Sequence, residues 1–219
     1  MATAATADAG YPPDEMAGEI GSLAKARTMV QECRRCPLYA HATQAVFGAG
    51  PKRASIMFVG EQPGNSEDLA GEPFVGPAGR IFDAALAEVG IDRKAVYVTN
   101  AVKHFKFRQR GKRRLHQKPD AGEIQACRFW LDLERRFVGP QVVVALGATA
   151  ARGLLGRAVT ITSQRGQPVQ LEDGAWLYVT VHPSYLLRIR DREAAAFERG
   201  RFEADLAAAQ ERAQAASAA

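Results

Sequence analysis

Short apolar runs recur along the chain: SIMFVG (55–60), AVYVTNAV (95–102), PQVVVALG (140–147) and WLYVTV (176–181). They are apolar nearly throughout instead of alternating, and they are brief. That pattern predicts strands buried on both faces. Between them the spacing turns helical. Ile81, Phe82, Ala85 and Leu86 fall on one helical face, and Gly90 is placed to stop that helix. Asp120 predicts an N-cap, with Glu123 completing a capping box. The helix it opens carries Cys127, Trp130, Leu131 and Leu133. ATAARGLLG predicts a short helix after the third run, and Arg190 to Ala216 a long Ala-rich one. Ile20 to Glu32 predicts a first helix running into CRRCPL, and Glu172-Asp173-Gly174 a turn before the last strand.

Strands alternating with helices predict an α/β fold, a three-layer α/β/α sandwich around a central, mainly parallel sheet. Such sheets bind ligands beyond the C-terminal ends of their strands. Loops containing GEQPG (60–64), TNAVKH (99–104) and VHPSYLLR (181–188) leave those ends and are expected to converge on one edge. No internal repeat or second domain is evident. The expected organisation is a disordered leader over 1–17 and a single domain over 18–216. No apolar run nears the ~20 residues of a membrane span. The first residues also lack the basic-then-apolar order of a signal peptide. A cytoplasmic monomer with no membrane partner is the expectation.

Charge alters this picture in one place. The 219 residues carry a net +5, yet Ala101 to Pro119 holds eight Lys or Arg and no acid. Its core, GKRRLHQKP (111–119), reads as a basic loop suited to a polyanion, nucleic acid first. The three cysteines cannot close a set of disulfides. Cys33 and Cys36, in CRRC, read as metal or redox chemistry, zinc included, with a fourth ligand to be found among His41, His104, His116 and His182. GEQPG lacks the GK[ST] of a Walker loop and is not a GxGxxG fingerprint. Gly60 and Gly64 let backbone amides approach a ligand closely. Glu61, Gln62 and Asp68 offer general-base, hydrogen-bonding or electrostatic chemistry.

In chain order, CRRC, GEQPG, the ED at 67–68, PFVGPAGR (73–80), VTNAVKH and VHPS resemble the iron–sulfur (family 4-like) branch of the uracil-DNA glycosylase superfamily. GEQPG together with KRRLH (112–116) resembles its UdgX type, the branch that becomes covalently attached to uracil-containing DNA. The likeness spans about Glu32 to Arg188. It implies a uracil-DNA glycosylase fold in a bacterial cytoplasmic protein. It also implies a 4Fe-4S cluster held by Cys33, Cys36, His104 and Cys127, with His104 standing where the ordinary branch has a cysteine. Imidazole replaces thiolate on iron in Rieske centres.

For the base, the resemblance implies that Phe74 stacks on uracil and that Asn100 bonds its edge. The backbone around Gln62, with Gly60, Gly64 and Asp68, contacts the substrate. His182 donates to uracil O2. Tyr185, Leu186 and Leu187 form an apolar wedge after Ser184, and Lys112, Arg113, Arg114 and Arg188 contact phosphates. His116 is implied to attack the sugar at C1′, assisted by Glu61 beside Gln62. The DNA partner is expected to be single-stranded as well as duplex. An ordinary hydrolytic glycosylase that turns over, and a non-catalytic nucleic-acid-binding metal protein, are the competing readings.

Overall fold

The apolar runs pair into one sheet. The computed structural model describes residues 20–217, so the leader expected over 1–17 lies outside the described residues. The strands are β1 (Ile56–Gly60), β2 (Tyr97–Asn100), β3 (Phe107–Arg110), β4 (Arg113–His116), β5 (Val142–Leu146), β6 (Val169–Gln170) and β7 (Trp176–Thr180). The main sheet runs β2-β1-β5-β7-β6. Its first four strands are parallel, and the edge strand β6 is antiparallel to β7. β1 sits between β2 and β5, so the chain crosses from one side of β1 to the other. The crevice beyond that crossing is where doubly wound sheets bind ligands.

Alternate residues of each strand face opposite helical layers. Ile56 and Phe58 pack with Phe82, Leu86, Phe202 and Leu206, which come from α3 (Pro77–Glu88) and α8 (Arg192–Ser217). Met57 and Val59 pack with Leu131, Val138, Ala151 and Leu154, from α4 (Ala121–Val138) and α5 (Ala148–Leu155). This is the three-layer sandwich that the run-and-helix pattern predicts. The capping box at Asp120 and Glu123 opens α4 as expected, with N–H···O distances of 3.0 and 2.8 Å. Three shorter helices are α2 (Asn65–Ala70), α6 (Ile161–Gln164) and α7 (Pro183–Leu186).

Two expectations change. The first helix, α1, spans only Leu23–Met29 before a 3-10 turn over Val30–Glu32, because the Ser22 side chain caps it by accepting from Lys25 N–H at 3.1 Å. Ile20 lies before the helix and is buried. The larger change concerns the basic loop. Residues 107–116 form an antiparallel hairpin, β3 against β4, closed by Gly111 and Lys112. Gly111 adopts φ 58°, and the first turn position of a II′ hairpin favours glycine for that reason.

Candidate active site

A cavity of about 390 Å³ opens beyond the C-terminal ends of β1 and β2, lined among others by Gln62, Phe74, Asn100, His116 and His182. Gly60 makes that convergence possible. A β-carbon there would lie 2.3 Å from Asn100 Oδ1 and 2.7 Å from the Phe74 ring. Phe74 is held in the left-handed region at φ 61°, which non-glycine residues seldom occupy. Its surroundings enforce this. The Phe74 ring packs on Phe82 at 5.1 Å, and a β-carbon on Gly79 would strike the Phe74 carbonyl oxygen at 1.7 Å. Glu67, part of the ED motif but given no role by it, staples the two loops: its carboxylate accepts from Gly76 N–H at 2.7 Å and from Gly64 N–H at 3.0 Å.

His182 is held as a neutral donor. Ser184 N–H donates to its Nδ1 at 3.1 Å, and the Ser184 hydroxyl lies 2.8 Å from the same nitrogen. The lone pair is therefore on Nδ1 and the proton on Nε2. Burial, and then the nearby His116 and Arg188 charges, push His182 down to about 4.

His116 stands on the cavity rim at the end of β4. Gln62 fixes it there. Lys106 N–H donates to Gln62 Oε1 at 2.9 Å, which orients the amide. Gln62 Nε2 then faces the Gln117 carbonyl at 2.9 Å, the Lys106 carbonyl at 3.2 Å and His116 Nε2 at 2.9 Å. An amide NH₂ only donates, so His116 Nε2 presents a lone pair. Glu61 Oε1 lies 3.3 Å from the same nitrogen. Burial holds His116 below the usual imidazole range; Glu61 opposes that shift and Arg188 adds to it.

Three expected site residues take other places. Asp68 is fully buried and outside the cavity, accepting from Thr43 N–H at 3.0 Å and from Arg114 at 2.6 Å. It anchors the hairpin and does not line the cavity. Arg114 is correspondingly committed inward. It also bonds Asn65 at 2.8 Å and covers the Phe105 and Phe107 rings, so its charge is not free for a phosphate. Leu186 packs in the core and is 8% exposed, which leaves Tyr185 at 41% and Leu187 at 50% as the apolar tip.

The basic segment divides the same way. Lys103 is fully buried against Glu134, and Lys106 pairs with Glu123 and Asp120. Arg108, Arg110, Lys112 and Arg113 are exposed and form no ion pair among the described residues. A fourth strand end also reaches the site. After β5, Thr149 Oγ1 donates to Glu61 Oε2 at 2.5 Å. The rule that selected the other three loops applies equally to the end of PQVVVALG, and would have found it.

The expected cluster ligands gather on the α1–α4 side. Cys33 and Cys127 are buried in one apolar group that Cys36 packs against, and His104 shares a surface cavity with Cys33. Trp130 Nε1–H donates to Cys33 Sγ at 3.0 Å, and Lys103 N–H to Cys127 Sγ at 3.1 Å. Among the described residues no three His, Cys, Asp or Glu side chains converge closely enough to hold a single metal ion. Three sulfurs and an imidazole, with N–H donors on two of the sulfurs, match the donor chemistry of an iron–sulfur cluster. No helix of the described residues is long and apolar enough to cross a membrane.

Residues 47–206 match the Uracil DNA glycosylase superfamily. The chain is 42% identical over 165 residues to a type-4 uracil-DNA glycosylase of Thermotoga maritima, covering 75% of this chain and 82% of that protein. It is 35% identical to a type-4 uracil-DNA glycosylase of Pyrobaculum aerophilum, over 84% of this chain and 91% of that one. A third relative of the same description, from Sulfurisphaera tokodaii, is 34% identical over 76% of this chain and 74% of its own length. With its parallel sheet, its cavity at the strand crossing and these relatives, the chain belongs to the uracil-DNA glycosylase superfamily.

Proposed function

We propose that the protein is a uracil-DNA glycosylase that excises uracil and becomes covalently linked to the sugar C1′ through His116, acting once. The observation that carries this reading is the His116 imidazole on the cavity rim. Its Nε2 lone pair is turned toward Gln62 and lies beside the Glu61 carboxylate.

An extruded uracil stacks on Phe74, and Asn100 offers an acceptor to N3–H and a donor to O4. The N1–C1′ bond breaks with its electron pair leaving on the base. Negative charge gathers at O2, where the His182 Nε2–H donates from a fixed, half-buried position. C1′ is left electron-poor, and His116 Nε2 supplies the pair for a new C–N bond. Gln62 is not left unpaired when it releases His116, because its two N–H groups can go to the Lys106 and Gln117 carbonyls. The imidazolium so formed sits beside Glu61 and loses its Nδ1 proton to solvent. Imidazole is a poor leaving group, so the adduct persists. Cys33, Cys36, His104 and Cys127 would hold a 4Fe-4S cluster, which when bound joins the end of α1 to α4 and the loop after β2.

A denaturing gel tests the proposal. Protein mixed with a single-stranded oligonucleotide containing one uracil is expected to give a band that survives SDS and heat. Free abasic product without that band would establish ordinary turnover, and an unchanged oligonucleotide a binding protein.

The nucleophile must be neutral, and burial holds His116 below its usual range. Protonation removes the lone pair, so the adduct rate is expected to be flat through neutral pH. It should fall only as pH drops through an inflection below about 6.5. An inflection above that value would assign the titration to another group.

The DNA path follows from the hairpin. Arg110 and Arg113 are directly opposed across it, and like charges so placed repel. A phosphate backbone relieves that repulsion. Replacing both by alanine is expected to flatten the salt dependence of binding to a uracil-free single strand by about 1.4 log units per log salt, from ~0.7 per lost phosphate contact. Fluorescence anisotropy across a salt series measures this, and an unchanged slope would take the hairpin tip out of the DNA path.

A further inference from the structure

We infer that Thr149 is a positioning residue for this reaction, holding the Glu61 carboxylate so that one oxygen addresses His116. The inference rests on the glycosylase reading above. Glu61 leaves the end of β1 and Thr149 lies in the first turn of α5, after a different strand. Thr149 is 2% exposed, and its hydroxyl has a single proton. That proton goes to Glu61 Oε2 at 2.5 Å, while Oε1 lies 3.3 Å from His116 Nε2. The two carboxylate oxygens are thereby given separate tasks.

Without the hydroxyl, Glu61 is free to rotate about its side-chain bonds, since its carboxylate is on a flexible stem at the cavity edge. A glutamate must be held near one geometry to stabilise an adjacent charge efficiently. The turn that carries Thr149 is itself fixed against the other half of the site. Gly147, at φ 97°, donates its N–H to the Thr180 carbonyl at 2.9 Å, and a β-carbon on it would lie 3.2 Å from His182 Cβ. One turn after β5 therefore abuts His182 and grips Glu61, setting the two groups relative to each other.

The test is a double-mutant cycle between Thr149 and Glu61, read as single-turnover uracil release and, separately, as adduct formation. Thr149→Val, which keeps the shape and removes the hydroxyl, is expected to slow adduct formation on the order of 10-fold, the size of one hydrogen bond to a charged group. Thr149→Ser should recover most of that loss. In a Glu61→Gln background the Val substitution should add little, because the two residues act as a unit. A structural role would instead give the same loss in both backgrounds, with a matching fall in melting temperature, and would overturn the inference. So would a Ser variant as slow as Val, or a Glu61→Gln variant that alters neither rate. If the unsubstituted protein releases uracil and forms no adduct, covalent trapping is lost, and the coupling is decided on the release rates alone.

Discussion

Replacing His116 by serine is expected to abolish the denaturation-resistant protein–DNA band completely, while free uracil continues to appear. The groups assigned to base departure are elsewhere. Phe74, Asn100 and the His182 donor lie on three other segments, and none is held by His116. Gln62 keeps its hydrogen bonds to the Lys106 and Gln117 carbonyls, and the Arg114–Asp68 pair at 2.6 Å still pins the hairpin. The serine hydroxyl is shorter and far less nucleophilic at neutral pH without a base to activate it. Water then meets C1′, and the product is an abasic strand free of protein. The same gel used for the unsubstituted protein reads this directly. A serine variant that still forms the band would move the nucleophile to another residue.

The largest expected loss of stability comes from Lys103→Met. Lys103 and Glu134 are fully buried, 2.5 Å apart. Glu134 also accepts from Gly48 N–H at 2.7 Å, Tyr97 O–H at 3.1 Å and Thr99 O–H at 2.8 Å. Removing one partner of such a pair leaves an uncompensated charge and costs about 3–5 kcal/mol. For a chain of this length that corresponds to a fall of about 6–20 °C in Tm, at roughly 2–4 °C per kcal/mol. Lys103 also donates to the Asn100 carbonyl at 2.6 Å, so Asn100, proposed to read the base, loses its support. Pairing the change with Glu134→Gln should restore part of the Tm, since it removes the second charge and keeps an acceptor for the Gly48 N–H and Tyr97 O–H. A Tm within a few degrees of the parent for Lys103→Met alone would show that the pair contributes little.

Neither Lys103 nor Glu134 stands out in the chain, and the reason is general. They are separated by the hairpin and most of α4, and sequence spacing carries no sign that two distant charges meet in a core. The strands were legible because burial on both faces leaves an apolar run with little to disguise it. The same logic hid the hairpin. Phe-Arg-Gln-Arg sets one apolar residue against two charges, and Arg-Arg-Leu-His puts charge on both faces, so hydrophobic alternation is masked and only the glycine marks the turn. Asp68 and Arg114 are obscured for a related reason: in the sequence each is a charge without a visible partner, and the fold makes each the partner of the other. The roles proposed for Phe74, Asn100 and His182 rest on the resemblance of ordered motifs. The residues alone would have left each as an ordinary core or turn position.

The hairpin that carries His116 begins and ends at one point. Gln117 N–H donates to the Lys106 carbonyl at 2.9 Å, just outside β3 and β4. A segment whose ends already touch can be gained or lost as a unit without displacing what flanks it, here His104 on one side and Cys127 on the other. On the function proposed above, the route from a recycling enzyme to a single-use one would need no redesign of the sheet or of the base pocket. It would need one local insertion, followed by the few side chains that fasten it down.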